Sequence, residues 1–492
     1  MKKYVVALDQ GTTSSRAIAF DRNGTAIAGQ NKEFQQIFPK PGWVEHNPYD
    51  IINSQADALR SLLRSSGIKP EEIDSIGITN QRETVVVWNR STGEPVYNAI
   101  VWQCRRTAPM CDELVRNGYS QLIKEKTGLV PDAYFSATKI KWILDNVPGA
   151  RGLAYENNLA AGTVDSWLVY NMSKGVVHAT DPGNASRTML FNIKDGGWDE
   201  ELCNLFGIPM KVLPKVVDSS GVVFNYMLDG ASIPVAGIAG DQQAALFGQV
   251  CFNKGDAKNT YGTGCFILMN TGREPVYSKG GLLTTVAWRI NGVTEYALEG
   301  SVFNAGSAMQ WLRDNMGFMD TASQSNEIAM SVNDTGGVYF VPAFTGLGTP
   351  YWDMYARGII TGLTRGTTRA HIVRAGLEAI AFRSAEVLEV MKEDSGLEIK
   401  SLHADGGASE NEFLMQFQAD MLGIEITRPL VRETTALGAA FLSGLASGFW
   451  KTRGELAELI AADRIFRPCC EDKFRLEKLD GWKAAVKRAT GK

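Results

Sequence analysis

Ala257-Lys-Asn-Thr-Tyr-Gly-Thr-Gly-Cys-Phe-Ile-Leu-Met-Asn270 restates, halfway along the chain, the pattern on which the chain opens. Ala257–Thr260 reads as a strand, Tyr261–Gly264 as a tight loop and Cys265–Asn270 as a second strand. At the N-terminus Tyr4–Leu8 reads as a strand, Asp9-Gln-Gly-Thr-Thr-Ser-Ser15 as a loop rich in glycine and hydroxyls, and Arg16–Asp21 as the next strand. A turn at Arg22-Asn-Gly24 then leads to a third strand from Thr25, as Leu283–Arg289, Asn291-Gly292 and Thr294–Leu298 form a further hairpin in the second half. Both halves begin with strands around a Gly-Thr loop. The economical reading is a duplicated α/β core with a cleft between the halves.

Between these blocks the pattern alternates helix and strand. Ile51–Leu63 carries apolar residues at helical spacing, and Ile73–Thr79 and Thr84–Trp88 read as strands around the polar insert Asn80-Gln-Arg-Glu83. Long helices follow in the second half: Ala370–Lys392 closed by Gly396, Asn411–Leu422, and Ala436–Gly448, whose Ala, Gly and Ser content lets its backbone approach a neighbour closely. Asp472–Lys492 is polar and charged and reads as surface.

The 492 residues suggest two large domains, placed here at 1–250 and 251–492. Hydrophobic content of 44% with 21% charged residues is that of a globular protein, and a net charge of -4 gives no field to draw nucleic acid or an anionic membrane. No apolar run approaches the ~18–20 residues that span a bilayer, and Met1-Lys-Lys-Tyr enters a strand directly. The expected location is the cytoplasm. Seven cysteines without a Cys-x-x-Cys pair and four scattered histidines give neither a disulfide framework nor a zinc site. Any metal is expected to arrive with a phosphate substrate.

The sequence contains no P-loop, no Gly-x-Gly-x-x-Gly and no Asp-Phe-Gly, which removes P-loop, dinucleotide-binding and protein-kinase readings. Three Gly-rich turns remain. Asp9–Ser15 could surround phosphate oxygens with backbone N–H groups and the hydroxyls of Thr12, Thr13 and Ser14, with Asp9 holding Mg²⁺ through water. Gly262-Thr-Gly264 and Asp405-Gly-Gly-Ala-Ser-Glu-Asn411 are the others. Such turns join strands in many proteins; their order and duplication carry the signal. Asp241, in Gly237-Ile-Ala-Gly-Asp-Gln-Gln-Ala-Ala-Leu-Phe-Gly248, falls at a strand-to-helix turn. Taken alone it reads as a helix cap, a place that favours the ionised carboxylate.

With these residues in view the chain resembles the FGGY carbohydrate kinases, within the actin/Hsp70/hexokinase-like ATPase superfamily. The resemblance runs through Leu8–Arg16, Pro41–His46, Gly77–Thr84, Trp102–Arg106 and Tyr134–Trp142. It continues through Gly240–Gln243, Tyr261–Phe266, Gly358–Glu378, Asp405–Gly407 and Thr434–Ala440. It implies two ribonuclease H-like (actin-like ATPase) domains with mixed sheets, flanking helices and the active site between them. It also implies Mg²⁺-dependent transfer of the ATP γ-phosphoryl group to glycerol, with Asp241 as base and Asp9 and Asp241 toward the metal, partly through water. Arg82, Glu83, Tyr134, Asp241 and Gln242 are implied at the glycerol hydroxyls, with Trp102 and Phe266 against its carbon edge. Read without the resemblance, Arg82-Glu83 is a solvated ion pair and the aromatic residues are core. On the nucleotide side the resemblance implies Thr12, Thr13, Ser14, Arg16 and Thr263 at the phosphates, and Gly306, Gln310, Gly407 and Asn411 around adenosine. A homodimer or homotetramer is implied as well.

Two segments depart from the family pattern. Tyr226–Pro234 is short where members inhibited by fructose 1,6-bisphosphate carry a Gly-rich loop with an arginine, and Arg467–Phe474 differs from the segment through which some members bind a phosphotransferase-system protein. That regulatory partner is not expected. The alternatives are an FGGY kinase for another polyol or ketose, such as xylulose or erythritol, and a non-enzymatic actin-like ATP-dependent scaffold.

Overall fold

The computed structural model describes residues 2–344, 346–353 and 355–491. Its spine is a thirteen-stranded sheet. In chain order the strands are β1 (Tyr4–Gln10), β2 (Ser14–Phe20), β3 (Ala26–Glu33), β4 (Ile73–Asn80), β5 (Ser220–Leu228), β6 (Ala231–Gly240) and β7 (Ala257–Tyr261). They continue as β8 (Cys265–Gly272), β9 (Leu283–Ile290), β10 (Val293–Val302), β11 (Ser401–Asp405), β12 (Glu425–Pro429) and β13 (Ala462–Phe466). Across the sheet they lie in the order β13-β12-β11-β7-β8-β10-β9-β5-β6-β4-β1-β2-β3.

The duplication read from the hairpins is visible in this order. In the first half β3, β2 and β1 form an antiparallel meander, and β4 and β6 add in parallel beside β1. In the second half β10, β8 and β7 form the meander, and β11 and β12 add in parallel beside β7. The hairpins β5/β6 and β9/β10 bring the halves together, and the seam between β5 and β9 is a single pair, Ser220 with Ile290. The first turn is shorter than the expected loop of residues 9–15, because the ladder continues through Asp9 with Arg16 and Gln10 with Ser15. Only Gly11-Thr-Thr13 lies outside it, closed by the Gly11 N–H donating to the Ser14 carbonyl at 2.9 Å.

The helices used below are α1 (Pro48–Ser66), α2 (Asp241–Gly248), α3 (Gly306–Asp314), α4 (Arg369–Ser395), α5 (Glu412–Leu422), α6 (Thr434–Ser447) and α7 (Asp472–Thr490). Among the described residues no helix is long and apolar enough to cross a membrane. The expected polar surface tail is α7, and it is not surface throughout. Trp482, Ala485 and Val486 form a narrow buried stripe at helical spacing, with Trp482 stacked on Phe382 of α4 at 5.2 Å. The many charges around that stripe concealed it, and Lys492 lies outside the described residues.

Helix α6 leaves the second half and packs on β1, β4, β6 and α2 of the first. Its small residues permit backbone-to-backbone contact: a Cβ on Gly438 would lie 1.8 Å from the Ala244 carbonyl oxygen, and one on Gly77 2.1 Å from that of Ala439. Overpacking of this kind costs about 1–3 kcal/mol even where side chains can yield, and backbone yields less. Gly438→Ala is therefore expected to destabilise the protein by at least that amount in chemical denaturation. An unchanged midpoint would contradict the close crossing.

Candidate active site

Three parallel strands end side by side, with Asn80 of β4 in register with Gln10 of β1 and with Gly240 of β6. The loops leaving their carboxyl ends therefore converge, as ligand-binding loops do in α/β sheets. The turn 11–13, the segment 81–84 and the start of α2 thus follow neighbouring strands at one end of the sheet. Gly240 is needed where it stands: a Cβ there would lie 2.7 Å from the Arg82 side chain, which passes over it toward Asp241.

Arg82 and Glu83 are not a solvated pair, for their side chains are only 2% and 1% exposed. Glu83 turns the chain inward with a left-handed backbone at φ 60°, a conformation costly outside glycine. The Arg82 guanidinium makes a two-point contact with Glu299 of β10, Nη1 to Oε2 at 2.5 Å and Nη2 to Oε1 at 3.0 Å. It also donates to Gln243 at 3.3 Å and to the Tyr134 hydroxyl at 3.3 Å, and its Nε stands 3.2 Å from Asp241 Oδ1. Behind them Arg187 donates to Glu83 at 2.6 Å and to Glu299 at 2.9 Å. Burial alone would raise the Glu299 carboxyl, but Arg187 and Arg82 hold it down to about 2.

Asp241 differs from its reading as a cap that favours ionisation. Gly240 is the capping residue, Asp241 is the first helical residue, and its Oδ1 accepts from the neighbouring Gln242 N–H at 2.8 Å. Although 32% of its side chain is exposed, desolvation is the largest effect and raises its pKa above the usual carboxylate range. Arg82, Lys258 and the Gln242 N–H oppose that rise without reversing it, and the nearby Asp9 adds to it.

Around these groups stand half-buried aromatic residues. Trp102 meets Tyr134 at 5.7 Å and Phe266 at 6.4 Å edge to face, and its indole N–H donates to Thr12 Oγ1 at 3.0 Å. Gln242 accepts a hydrogen bond from Lys258 of β7, whose ammonium also donates to Thr260 at 2.9 Å and to the Phe266 carbonyl at 3.2 Å. Burial lowers the Lys258 pKa to about 8 in spite of the carboxylates around it. Lys139, equally buried, donates to the carbonyls of Glu83 at 3.2 Å and of Tyr134. The structure thus brings Thr12, Arg82, Glu83, Trp102, Tyr134, Asp241, Gln242 and Phe266 into one connected cluster.

The residues implied for the nucleotide are more dispersed. Thr13 is exposed in the first turn and Ser14 half-buried at the start of β2, while Arg16 is held between Asp9 at 2.7 Å and Glu433 at 2.6 Å, the latter just ahead of α6. The turn 262–264 sits on the start of α3, where the Gly306 and Ser307 N–H groups donate to the carbonyls of Gly262 and Thr263 at 3.0 and 3.1 Å. Gln310 lies exposed on α3, and Gly407 faces open space. Asn411 caps α5 by accepting from the Leu414 N–H at 2.9 Å and donates to Ser325 at 3.1 Å, so its amide has a structural task. Among the described residues no three His, Cys, Asp or Glu side chains stand together as a metal site. Asp9 and Asp241, two hard carboxylates close enough to repel, are oxygen donors of the kind that would suit Mg²⁺.

The N-terminal domain of the FGGY family of carbohydrate kinases matches residues 4–248, and its C-terminal domain matches residues 257–447. The chain belongs to this family. Among relatives of this FGGY kinase, the glycerol kinase of Caldanaerobacter subterraneus subsp. tengcongensis is 60% identical over 99% of both chains. Glycerol kinase 2 of Thermotoga maritima is 59% identical over 99% of both. The crystal structure of Plasmodium falciparum glycerol kinase with ADP superposes with a TM-score of 0.93 at 38% identity, over 99% of this chain and 98% of that one. Ligand-bound xylulose kinase from Lactobacillus acidophilus shares the fold, with a TM-score of 0.89 at 22% identity over 99% and 98%. The duplicated two-domain FGGY kinase fold with flanking helices is thereby established.

Glu299, Arg187, Lys258 and Lys139 escaped the sequence reading. For Glu299 a signal exists: it is the lone charge in the largely apolar strand Tyr296-Ala-Leu-Glu-Gly-Ser-Val302, whereas Lys258 sits in the mostly polar Ala257-Lys-Asn-Thr-Tyr261 and has no such signal.

Proposed function

We propose that this FGGY kinase transfers the γ-phosphoryl group of ATP to a terminal hydroxyl of glycerol, giving sn-glycerol 3-phosphate and ADP. The reading rests above all on the cluster in which Arg82 and Asp241 stand 3.2 Å apart beside Trp102, Tyr134 and Phe266. It is supported by 60% identity to a glycerol kinase over 99% of the chain. A triol offers donors and acceptors on one edge and carbon on the other; a guanidinium, carboxylates and an amide opposite an aromatic wall match both.

Asp241 accepts the proton of the attacking hydroxyl as the new O–P bond forms, and Gln242 and Arg82 orient the acceptor. Mg²⁺ held toward Asp9 and Asp241, partly through water, supplies charge neutralisation for the phosphoryl oxygens when bound. Thr12, Thr13, Ser14 and Thr263 approach the phosphates through hydroxyls and backbone N–H groups, and Arg16 adds positive charge. Because phosphoryl transfer passes through a loose transition state, most of the rate comes from this positioning. Residues 1–250 supply the acceptor side and the base, and residues 251–492 the adenine side. Closure of the halves excludes water as a competing acceptor. The proposal extends to a cytoplasmic dimer or tetramer, which light scattering tests.

Steady-state kinetics with ATP and Mg²⁺ across glycerol, erythritol and xylulose are expected to give the highest kcat/KM for glycerol. A comparable value for the tetritol or pentulose would overturn the acceptor assignment, since fold alone does not choose among them. Absence of ADP formation at saturating glycerol would favour a scaffold. The base must be ionised to act, and its pKa is raised. Activity is therefore expected to fall with decreasing pH before the ordinary carboxylate value of about 4 is reached. A profile flat down to pH 4 would contradict this.

A further inference from the structure

We infer that Glu299 and Arg187 are positioning residues for acceptor recognition: a buried pair that fixes the Arg82 guanidinium and the Glu83 carboxylate so that only selected donors face the substrate. The inference rests on glycerol being the acceptor. Arginine has five N–H donors. The four on the Nη atoms of Arg82 have acceptors within the protein, two at Glu299 and one each at Gln243 and Tyr134, while Nε stands in an ion pair with Asp241 at 3.2 Å. Glu299 and Gln243 lie fully buried, whereas Tyr134 and Asp241 are partly exposed to solvent. The contacts to Tyr134 and Asp241, at 3.3 and 3.2 Å, are longer than the Glu299 pair at 2.5 and 3.0 Å. A substrate hydroxyl can take over those two donors while Glu299 keeps the guanidinium plane in place.

Arg187 serves the acid in the same way. Its Nε takes one oxygen of Glu83 at 2.6 Å and its Nη2 takes Glu299 Oε1 at 2.9 Å, so both substrate-side residues are aimed by one linked pair. Stability is a poor reason for such a cluster. Buried ion pairs are often replaceable by apolar residues without loss, and Arg187 Nη1, fully buried, has no hydrogen-bond partner in the chain. The two residues also come from different family domains, Arg187 from the part matching residues 4–248 and Glu299 from the part matching 257–447. Acceptor recognition is thus completed by the half that carries the adenine side.

The test is equilibrium binding to the full-length protein in the presence of ADP, with glycerol and with propane-1,3-diol, which lacks one hydroxyl. Glu299→Gln keeps the shape but loses the charge. Arg187→Met combined with Glu299→Gln removes one charge of each sign. Both are expected to bind glycerol about tenfold or more weakly and to narrow the preference for glycerol over the diol about tenfold, with ADP affinity within about twofold, because a misaimed fork forfeits directional bonds. A general structural defect would instead weaken glycerol, diol and ADP together. Parent-like glycerol affinity and preference in a folded variant would overturn the inference. If Glu299→Gln fails to fold, the double variant decides; if neither folds, the pair is a stability element and the inference falls. A parent protein showing no preference for glycerol would overturn the acceptor reading itself.

Discussion

Asp241→Asn is expected to lower kcat by about 10²–10⁴-fold, the range a general base contributes, while glycerol and ATP affinities stay within a few-fold of the parent. The amide keeps the size and the acceptor oxygen, so the Gln242 N–H at 2.8 Å and Arg82 at 3.2 Å retain a partner. What disappears is the group that can take the hydroxyl proton. Single-turnover measurement separates this from slow product release, because the loss must fall on the chemical step. Near-parent turnover would reduce Asp241 to a residue that steadies the start of its helix.

Arg82→Ala should do nearly as much damage by another route. The guanidinium faces Glu299, Glu83 and Asp241, and its removal leaves Asp241 without its nearest counter-ion and Glu299 and Glu83 with Arg187 alone in a buried site. Breaking one side of a buried pair costs about 3–5 kcal/mol of stability, so the denaturation midpoint should fall. KM for glycerol should rise far more than KM for ATP. Arg82 lowers the Asp241 pKa against a desolvation that raises it. Without it the carboxyl rises further, and the acid limb of the pH profile should move to higher pH. Equal loss of both substrates would mark general damage.

The repeated hairpins made the duplication legible, because strand-turn-strand patterning is local and survives in sequence. The single pair of Ser220 and Ile290 that makes one sheet of two halves is not local, and nothing in either strand announces it. The acceptor site shows the same division. Asp241 was visible from its strand-to-helix turn and Arg82-Glu83 from its polar segment, but whether that segment is wet or buried depends on Glu299, 217 positions away. Asp241 was misread in its electrostatics, since proximity to a helix start is a local effect and desolvation is set by the whole cleft. Asn411 shows the limit from the other side: its place at the start of α5 was legible, but its bond to Ser325 was not.

Helix α6 has a consequence for how the protein is made. A chain leaving the ribosome completes β1, β4, β6 and α2 long before residues 434–447, yet those elements share their packed face with that helix. At ~5–20 residues per second the wait is on the order of ten to forty seconds. During it, the face around Gly77, Gly237, Ala244 and Gly248, against which that helix packs, lacks this cover. Nascent chains of this length are expected to be chaperone clients, and a fragment ending at residue 250 is expected to aggregate until residues 434–447 are supplied in trans.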